Sequence, residues 1–295
     1  MEYQYTYNRN AQPFAVIKPG GIVTFQTEDA FRGLIKKNDD GTEENINSIF
    51  ELSCPVTGPI VVEGAKPGNW VEISIDNIEC GPYGVSVLGD HFCTIGEVFE
   101  NYTTLVVPIK DGVIHLNERI KFPAKPMIGT IGTTPKLEMP LSCLEGIFGG
   151  NMDCPSVTIG SKLYLPVFIE GAYIYVGDCH AIQGDGEMIN PFEMQAKVTL
   201  TVDVIKDKSS VGKWPRVKTK NTIETVASDR TFYFAAKIAM VEMINWLIED
   251  YGFKFNEAAF FCGQVVDARC CQIGGNAYHT ARCVLDTEYL KDVTS

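Results

Sequence analysis

The chain has 295 residues, 45% of them apolar and 21% charged, which allows one large globular domain or two ordinary ones with ample core. A formal charge of −12 opposes condensation on nucleic acid or anionic lipid, because no net cationic field gathers phosphates. No run approaches the roughly 18 consecutive apolar residues that a membrane-crossing helix needs.

At the N-terminus, Met1-Glu2-Tyr3-Gln4-Tyr5 has neither a basic segment nor an apolar run of signal-peptide length, so a cytoplasmic location is expected. The first two hundred residues read mainly as strands. Short apolar candidates occur at 22–25, 59–62, 105–109 and 163–167, and period-two alternation at 71–76 and 198–204 predicts half-buried strands. Turn pairs such as Pro19-Gly20, Pro67-Gly68, Gly81-Pro82 and Asp111-Gly112 punctuate them. The basic stretch from Lys206 to Lys220, with Lys208, Lys213, Arg216 and Lys218, reads as a solvated connecting loop, because Gly212 and Pro215 are loop formers. Beyond it, Ser228 or Asp229 is expected to cap a helix over 231–250 ended by Gly252. Its apolar stripe of Phe232, Ala235, Ala239, Met243, Trp246 and Leu247 reads as core packing. Asn256 is expected to cap a second short helix, and Gln264-Val265-Val266 to open another strand. The expected fold is mainly β, a sandwich or barrel body with an α+β C-terminal portion. It forms one unit over 1–295 with approximate parts 1–205 and 206–295.

The richest chemistry lies in Gly177-Asp178-Cys179-His180-Ala181-Ile182-Gln183-Gly184-Asp185-Gly186-Glu187. A strand over 173–176 that continued through it would project Asp178 and His180 from one face. Asp185 and Glu187 repeat that spacing after Gly184, and a second strand could carry Glu193. Such oxygen and imidazole groups suit zinc or a similar divalent ion, or calcium where oxygens dominate. Turn carboxylates around one hydrogen-bonded histidine are the plain alternative.

The same string resembles the signature of the acetamidase/formamidase family, Gly-Asp-x-His-x-x-x-Gly-Asp-Gly-Glu. Segments at 27–31, 56–60, 63–68, 126–132, 149–153, 164–167 and 264–267 are similar to family segments in the same order. The resemblance implies a homo-oligomeric hydrolase that releases ammonia from formamide, acetamide or a close relative. Under it, Asp178, His180 and Asp153 are the expected metal ligands, with Asp29 and Glu193 as further candidates. Glu187 is the expected general base, Asn151 a donor to the developing oxyanion, and Asp185 a further catalytic candidate.

Three features depart from the family. Phe148 stands where members often carry His or Arg; it either lines the pocket and favours a small apolar acyl group, or packs in the core. The stretch from Ala268 to Cys283 is unlike the usual C-terminus, and Gly89-Asp90-His91-Phe92-Cys93 has no family role, so Asp90 and His91 read as surface residues. A non-catalytic metal- or ligand-binding oligomer on the same scaffold is the alternative function, and Phe148 is the feature that favours it.

Of ten cysteines, most are expected to be reduced and buried. Cys179 adjoins His180 but should face the opposite way on a strand, so a thiol nucleophile served by that imidazole is disfavoured. Cys154, beside Asp153, is disfavoured likewise. Cys270, Cys271, His279 and Cys283 lack the usual zinc-ligand gap and read as free side chains.

Overall fold

The alternation at 71–76 belongs to a longer strand, Trp70–Cys80, in which Val71, Ile73 and Ile75 are buried and Glu72 and Ser74 are not. Opposite it, Thr199 pairs with Asn77 and Leu200 with Ile75, so Asp76 is bulged out and the buried set resumes at Ile78. The bulge keeps an eleven-residue strand on the core through a change of phase. These observations come from a computed structural model that describes residues 3–36, 52–90, 93–206, 213–274 and 278–293.

Two sheets dominate. One orders its strands Glu145–Gly146, Gly149–Asn151, Met127–Thr133, Ile174–His180, Glu193–Met194, Tyr83–Leu88, Thr103–Lys110, Val113–His115 and Lys121–Pro123. Val56–Val62 also pairs with Ile174–His180, and Ala15–Ile17 lies parallel to Val56–Val62. The other runs Val266–Gln272, His279–Asp286, Thr222–Asp229, Arg216–Lys218, Lys162–Pro166, Trp70–Cys80, Ala196–Ile205 and Gly21–Thr27. The expected β-rich architecture is therefore present. Ile73, Leu163, Val198 and Leu200 of the second sheet share one core with Ile128, Ile131, Val176 and Cys179 of the first. Lys162–Pro166 pairs with both Trp70–Cys80 and Arg216–Lys218, so this sheet runs unbroken across residue 205.

The long helix is Phe232–Tyr251, and Gly252 closes it in the left-handed region at φ 71°. Thr231, rather than Ser228 or Asp229, is the N-cap: its hydroxyl accepts from the Phe234 N–H, while the two earlier residues belong to the preceding strand. Ala239, Met243, Trp246 and Leu247 pack on Ile223, Ala227, Cys283 and Leu285, and Ala235 is buried, whereas Phe232 is only half-buried. The second helix, Phe255–Val265, begins before Asn256, with the Glu257 carboxylate accepting from the Lys254 N–H. Gln264 and Val265 are its last turn, so the next strand starts only at Val266.

Arg216 does not belong to a solvated loop. It lies on a strand, 1% exposed, stacked between Trp70 and Trp246 at 5.4 and 5.1 Å and paired with Glu242 and Glu249 at 2.7 and 2.8 Å. Lys208 and Gly212 of that stretch lie outside the described residues. Arg216→Ala would take the guanidinium away from the buried Glu242 carboxylate. A loss of about 3 kcal/mol in denaturant-measured stability is expected. A change below about 0.5 kcal/mol would mean that water replaces the guanidinium at no cost.

Candidate active site

Ile174–His180 is the central strand, buried along its whole length and flanked by Met127–Thr133 on one side and by Val56–Val62 and Glu193–Met194 on the other. Its extended course is interrupted at Asp178, whose φ is 53°. Glu193 pairs with His180 in register, which brings the second carboxylate strand to the imidazole as expected. Asp153 arrives from the loop after Gly149–Asn151, itself in the left-handed region at φ 45°.

Four groups converge here. His180 Nε2 lies 3.3 Å from Glu193 Oε2, 3.7 Å from Asp178 Oδ1 and 3.8 Å from Asp153 Oδ1. One ligand-type atom from each of Asp153, Asp178 and His180 falls within a mutual 4.8 Å. These atoms are held from behind. The Asn151 amide donates to Asp153 Oδ2 at 3.0 Å, and the Thr130 hydroxyl sits between Asn151 Oδ1 and Asp178 Oδ2. Asn190 donates to Glu193 Oε1 at 3.1 Å. Gln183 Nε2 donates to the carbonyls of Asp153 and Cys271, so its Oε1 is the atom that faces His180 Nδ1 at 2.8 Å. Nδ1 must then carry a hydrogen, and Nε2 is the ring atom presented to the carboxylates.

Burial pushes the carboxyls of Asp153 and Glu193 up to about 7 and about 8, each reinforced by the charge of Asp178. Burial acts on Asp178 in the same direction, but the neighbouring His180 ring, 3.7 Å away, and the Thr130 hydroxyl outweigh it and hold this carboxyl low. For His180 burial disfavours the charged ring, while Glu193 and Asp178 win and raise it well above the usual range. Asp153 Oδ1, Asp178 Oδ1, His180 Nε2 and Glu193 Oε2 are all buried without a hydrogen-bond partner. Three carboxylate oxygens and an imidazole nitrogen crowded around one point without hydrogen bonds are costly unless a cation satisfies them, and a mixed oxygen and imidazole set fits a divalent metal ion.

The remaining candidates fall in different places. Glu187 turns inward at φ 42°, and its Oε2 is buried without a partner. Burial, then the charge of Asp153, hold its carboxyl well above the usual range. Asp185 stays outside: its carboxylate bonds to Arg282 at 2.6 Å, because 184–187 is a turn and not the strand that would have aligned it with Glu187. Asn151 holds Asp153 rather than standing free to meet a substrate. Asp29 forms a turn, accepting from the N–H groups of Phe31 and Gly33; burial raises its carboxyl to about 6. Phe148 packs in an aromatic cluster with Tyr7 and Tyr175, which is the core-packing alternative. Asp90 is exposed; His91 and Phe92 lie outside the described residues.

Cys179 faces away from the imidazole, as expected, while Cys154 and Cys271 lie together. Cys179 faces the core between the sheets, where Thr27 donates to its sulfur at 3.6 Å. Cys154 is fully buried, with Arg282 Nη1 at 3.9 Å from its sulfur. Cys283 points at the long helix and Cys271 into the body core, so these two do not share a site. Thr130, Gln183 and Gly129 complete the site beyond the expected residues. Gln183 had a signal in the sequence, since it lies three residues past His180 in the same string.

A family model described as "Acetamidase/Formamidase family" matches residues 2–145 and 147–285. Formamidase from Methylophilus methylotrophus is 28% identical over 251 residues, which cover 65% of this chain and 61% of that one. The chain thus spans about three-fifths of that relative's length. The structure of acetamidase from Bacillus halodurans superposes with a TM-score of 0.92 at 32% identity, covering 99% of this chain and 98% of the other. That of acetamidase from Yersinia enterocolitica gives 0.91 at 29% identity, covering 99% and 90%.

Proposed function

The chain belongs to the acetamidase/formamidase family, and from that premise we propose that it hydrolyses the C–N bond of a small linear amide, of the formamide or acetamide type, to a carboxylate and ammonia with the help of a divalent metal ion. The observation that carries this reading is the set of buried, unpartnered atoms of Asp153, Asp178, His180 and Glu193 around one point. Asp153, Asp178 and His180 would hold the ion, with Glu193 as a further oxygen. An imidazole in the set favours zinc over calcium. A divalent ion bound there would supply Lewis acidity toward an amide carbonyl and toward water.

The chain's own groups do the rest. Glu187, whose buried Oε2 has no hydrogen-bond partner, would take a proton from water as the water oxygen adds to the carbonyl carbon. The same carboxyl returns that proton to the amide nitrogen as the C–N bond breaks, and a raised proton affinity suits both halves of the transfer. Asn151 and Thr130 keep Asp153 and Asp178 aimed, and Gln183 keeps the imidazole in one tautomer. Burial of the cluster excludes bulk water, which strengthens each of these interactions.

Ammonia release from formamide, acetamide and propionamide tests the reading, with elemental analysis of protein purified without chelator alongside. Near-stoichiometric divalent metal is expected, with release lost on chelation and restored by zinc. Undiminished release from chelated protein would remove the metal from the mechanism. No ammonia from any of the three amides would remove the hydrolase.

A further inference from the structure

Next to the carboxylate cluster lies a second buried pair that the mechanism above does not use, Glu145 and Gln272, 7% and 0% exposed. Gln272 Nε2 donates to Glu145 Oε1 at 3.2 Å and lies 3.5 Å from Thr280 Oγ1. These contacts commit the nitrogen side of the amide and fix which way it points, since a carboxylate only accepts. What remains are Glu145 Oε2 and Gln272 Oε1, both buried and both without a partner. Two bare acceptors on hydrogen-bonded neighbours carry an unrecovered desolvation cost until donors reach them.

Their place in the fold is specific. Glu145 pairs with Gly150 across a short hairpin, and the next residue, Asn151, holds Asp153. Gln272 bridges to Gly186, which precedes Glu187, and the neighbouring Cys271 carbonyl accepts from Gln183. The pair therefore joins the two segments that deliver Asp153 and the candidate base. Burial, then the charge of Asp153, raise the Glu145 carboxyl to about 8, and N–H donors arriving at Oε2 would favour its ionised, accepting form.

A primary amide carries two N–H donors on the nitrogen that Glu187 must reach. We propose that Glu145 Oε2 and Gln272 Oε1 form the subsite for that nitrogen, accepting its two N–H groups and so selecting primary over N-substituted amides. The inference rests on the hydrolase reading and extends it to selectivity. An N-methyl group would remove one donor and press a methyl against a bare oxygen, and sites built to pair a substrate N–H reject analogues that lack it.

The test compares kcat/KM for formamide and N-methylformamide in wild type, Glu145→Gln and Gln272→Met. Both variants are near-isosteric, and metal content is measured in each. The expected result is a KM for formamide raised about tenfold in each variant with metal retained, and a primary-to-N-methyl ratio reduced by a similar factor. Folded, metal-loaded variants with the wild-type KM and ratio would overturn the subsite alone, whereas wild type that releases no ammonia overturns the hydrolase reading and the subsite with it. A crystal of Glu187→Gln protein soaked with acetamide needs neither substitution. The amide nitrogen should lie within hydrogen-bond distance of both oxygens, and a nitrogen placed elsewhere, or water alone between them, refutes the assignment.

Discussion

Gly129→Ala is expected to lower kcat/KM for amides by about a hundredfold or more and to deplete the divalent metal proposed for the site. Gly129 lies on Met127–Thr133, beside the central strand. A Cβ there would stand 2.5 Å from Asp153 Oδ1, 2.8 Å from the Asp178 carbonyl oxygen and 3.0 Å from Asp178 Oδ2. The Asp153 oxygen could swing aside, but it is one of the unpartnered atoms that face His180. The Asp178 carbonyl can retreat only if the central strand moves. Either response shifts a candidate ligand by a sizeable fraction of an ångström, and misplacements near 1 Å cost on the order of 10²-fold in rate. Gly184→Ala is the control: nothing lies within 4 Å of a Cβ there, and its backbone is not in the left-handed region. Elemental analysis and steady-state kinetics on both variants decide the matter. A Gly129→Ala protein with normal metal and normal kcat/KM would place the centre somewhere else.

The glycine illustrates where reading a sequence stops. Gly177, Gly184 and Gly186 punctuate the chemical string, and a Cβ at Gly177 would meet the Pro55 carbonyl oxygen at 2.3 Å, yet Gly184 has open space around it and the glycine that presses on the carboxylates, Gly129, lies on another strand. Period-two alternation exposed the strands well, since a residue's own neighbours decide which face it shows. Continuing the strand at 173–176 puts Asp178 and His180 on one face, with a second strand free to carry Glu193, whereas Asp153 enters from a separate segment of the resemblance. Alternation failed where the backbone leaves the extended region. Gly186 at φ 98° and Glu187 at φ 42° turn the chain, so Glu187 faces the cluster while Asp185 pairs with Arg282. Partners distant in sequence left no local trace at all. Arg216 sits among loop formers and is buried by tryptophans at 70 and 246, and Gln272 reaches Glu145 across 127 positions.

The sharpest separation between a metal centre and a thiol nucleophile comes from two neighbouring substitutions. His180→Ala should lose on the order of 10³-fold in kcat/KM and most of its metal, while Cys179→Ala stays within about threefold of wild type. His180 Nε2 is the one nitrogen among the converging atoms, within 3.3 to 3.8 Å of three carboxylates. Without the imidazole, Asp153, Asp178 and Glu193 face one another with one fewer ligand for a cation. Loss of Lewis acidity worth about 4 kcal/mol corresponds to that thousandfold. Cys179 stands next in the chain but points the other way, into the core between the sheets. Burial pushes its thiol up to about 12, so almost no thiolate forms near neutral pH. Its truncation should cost about 1 kcal/mol of packing and leave the cluster in place. Circular dichroism must show both variants folded before kinetics are compared. A folded but inactive Cys179→Ala protein that still binds metal would transfer the nucleophile from water to that sulfur, and the roles drawn for Glu187 and His180 would have to be reassigned around it.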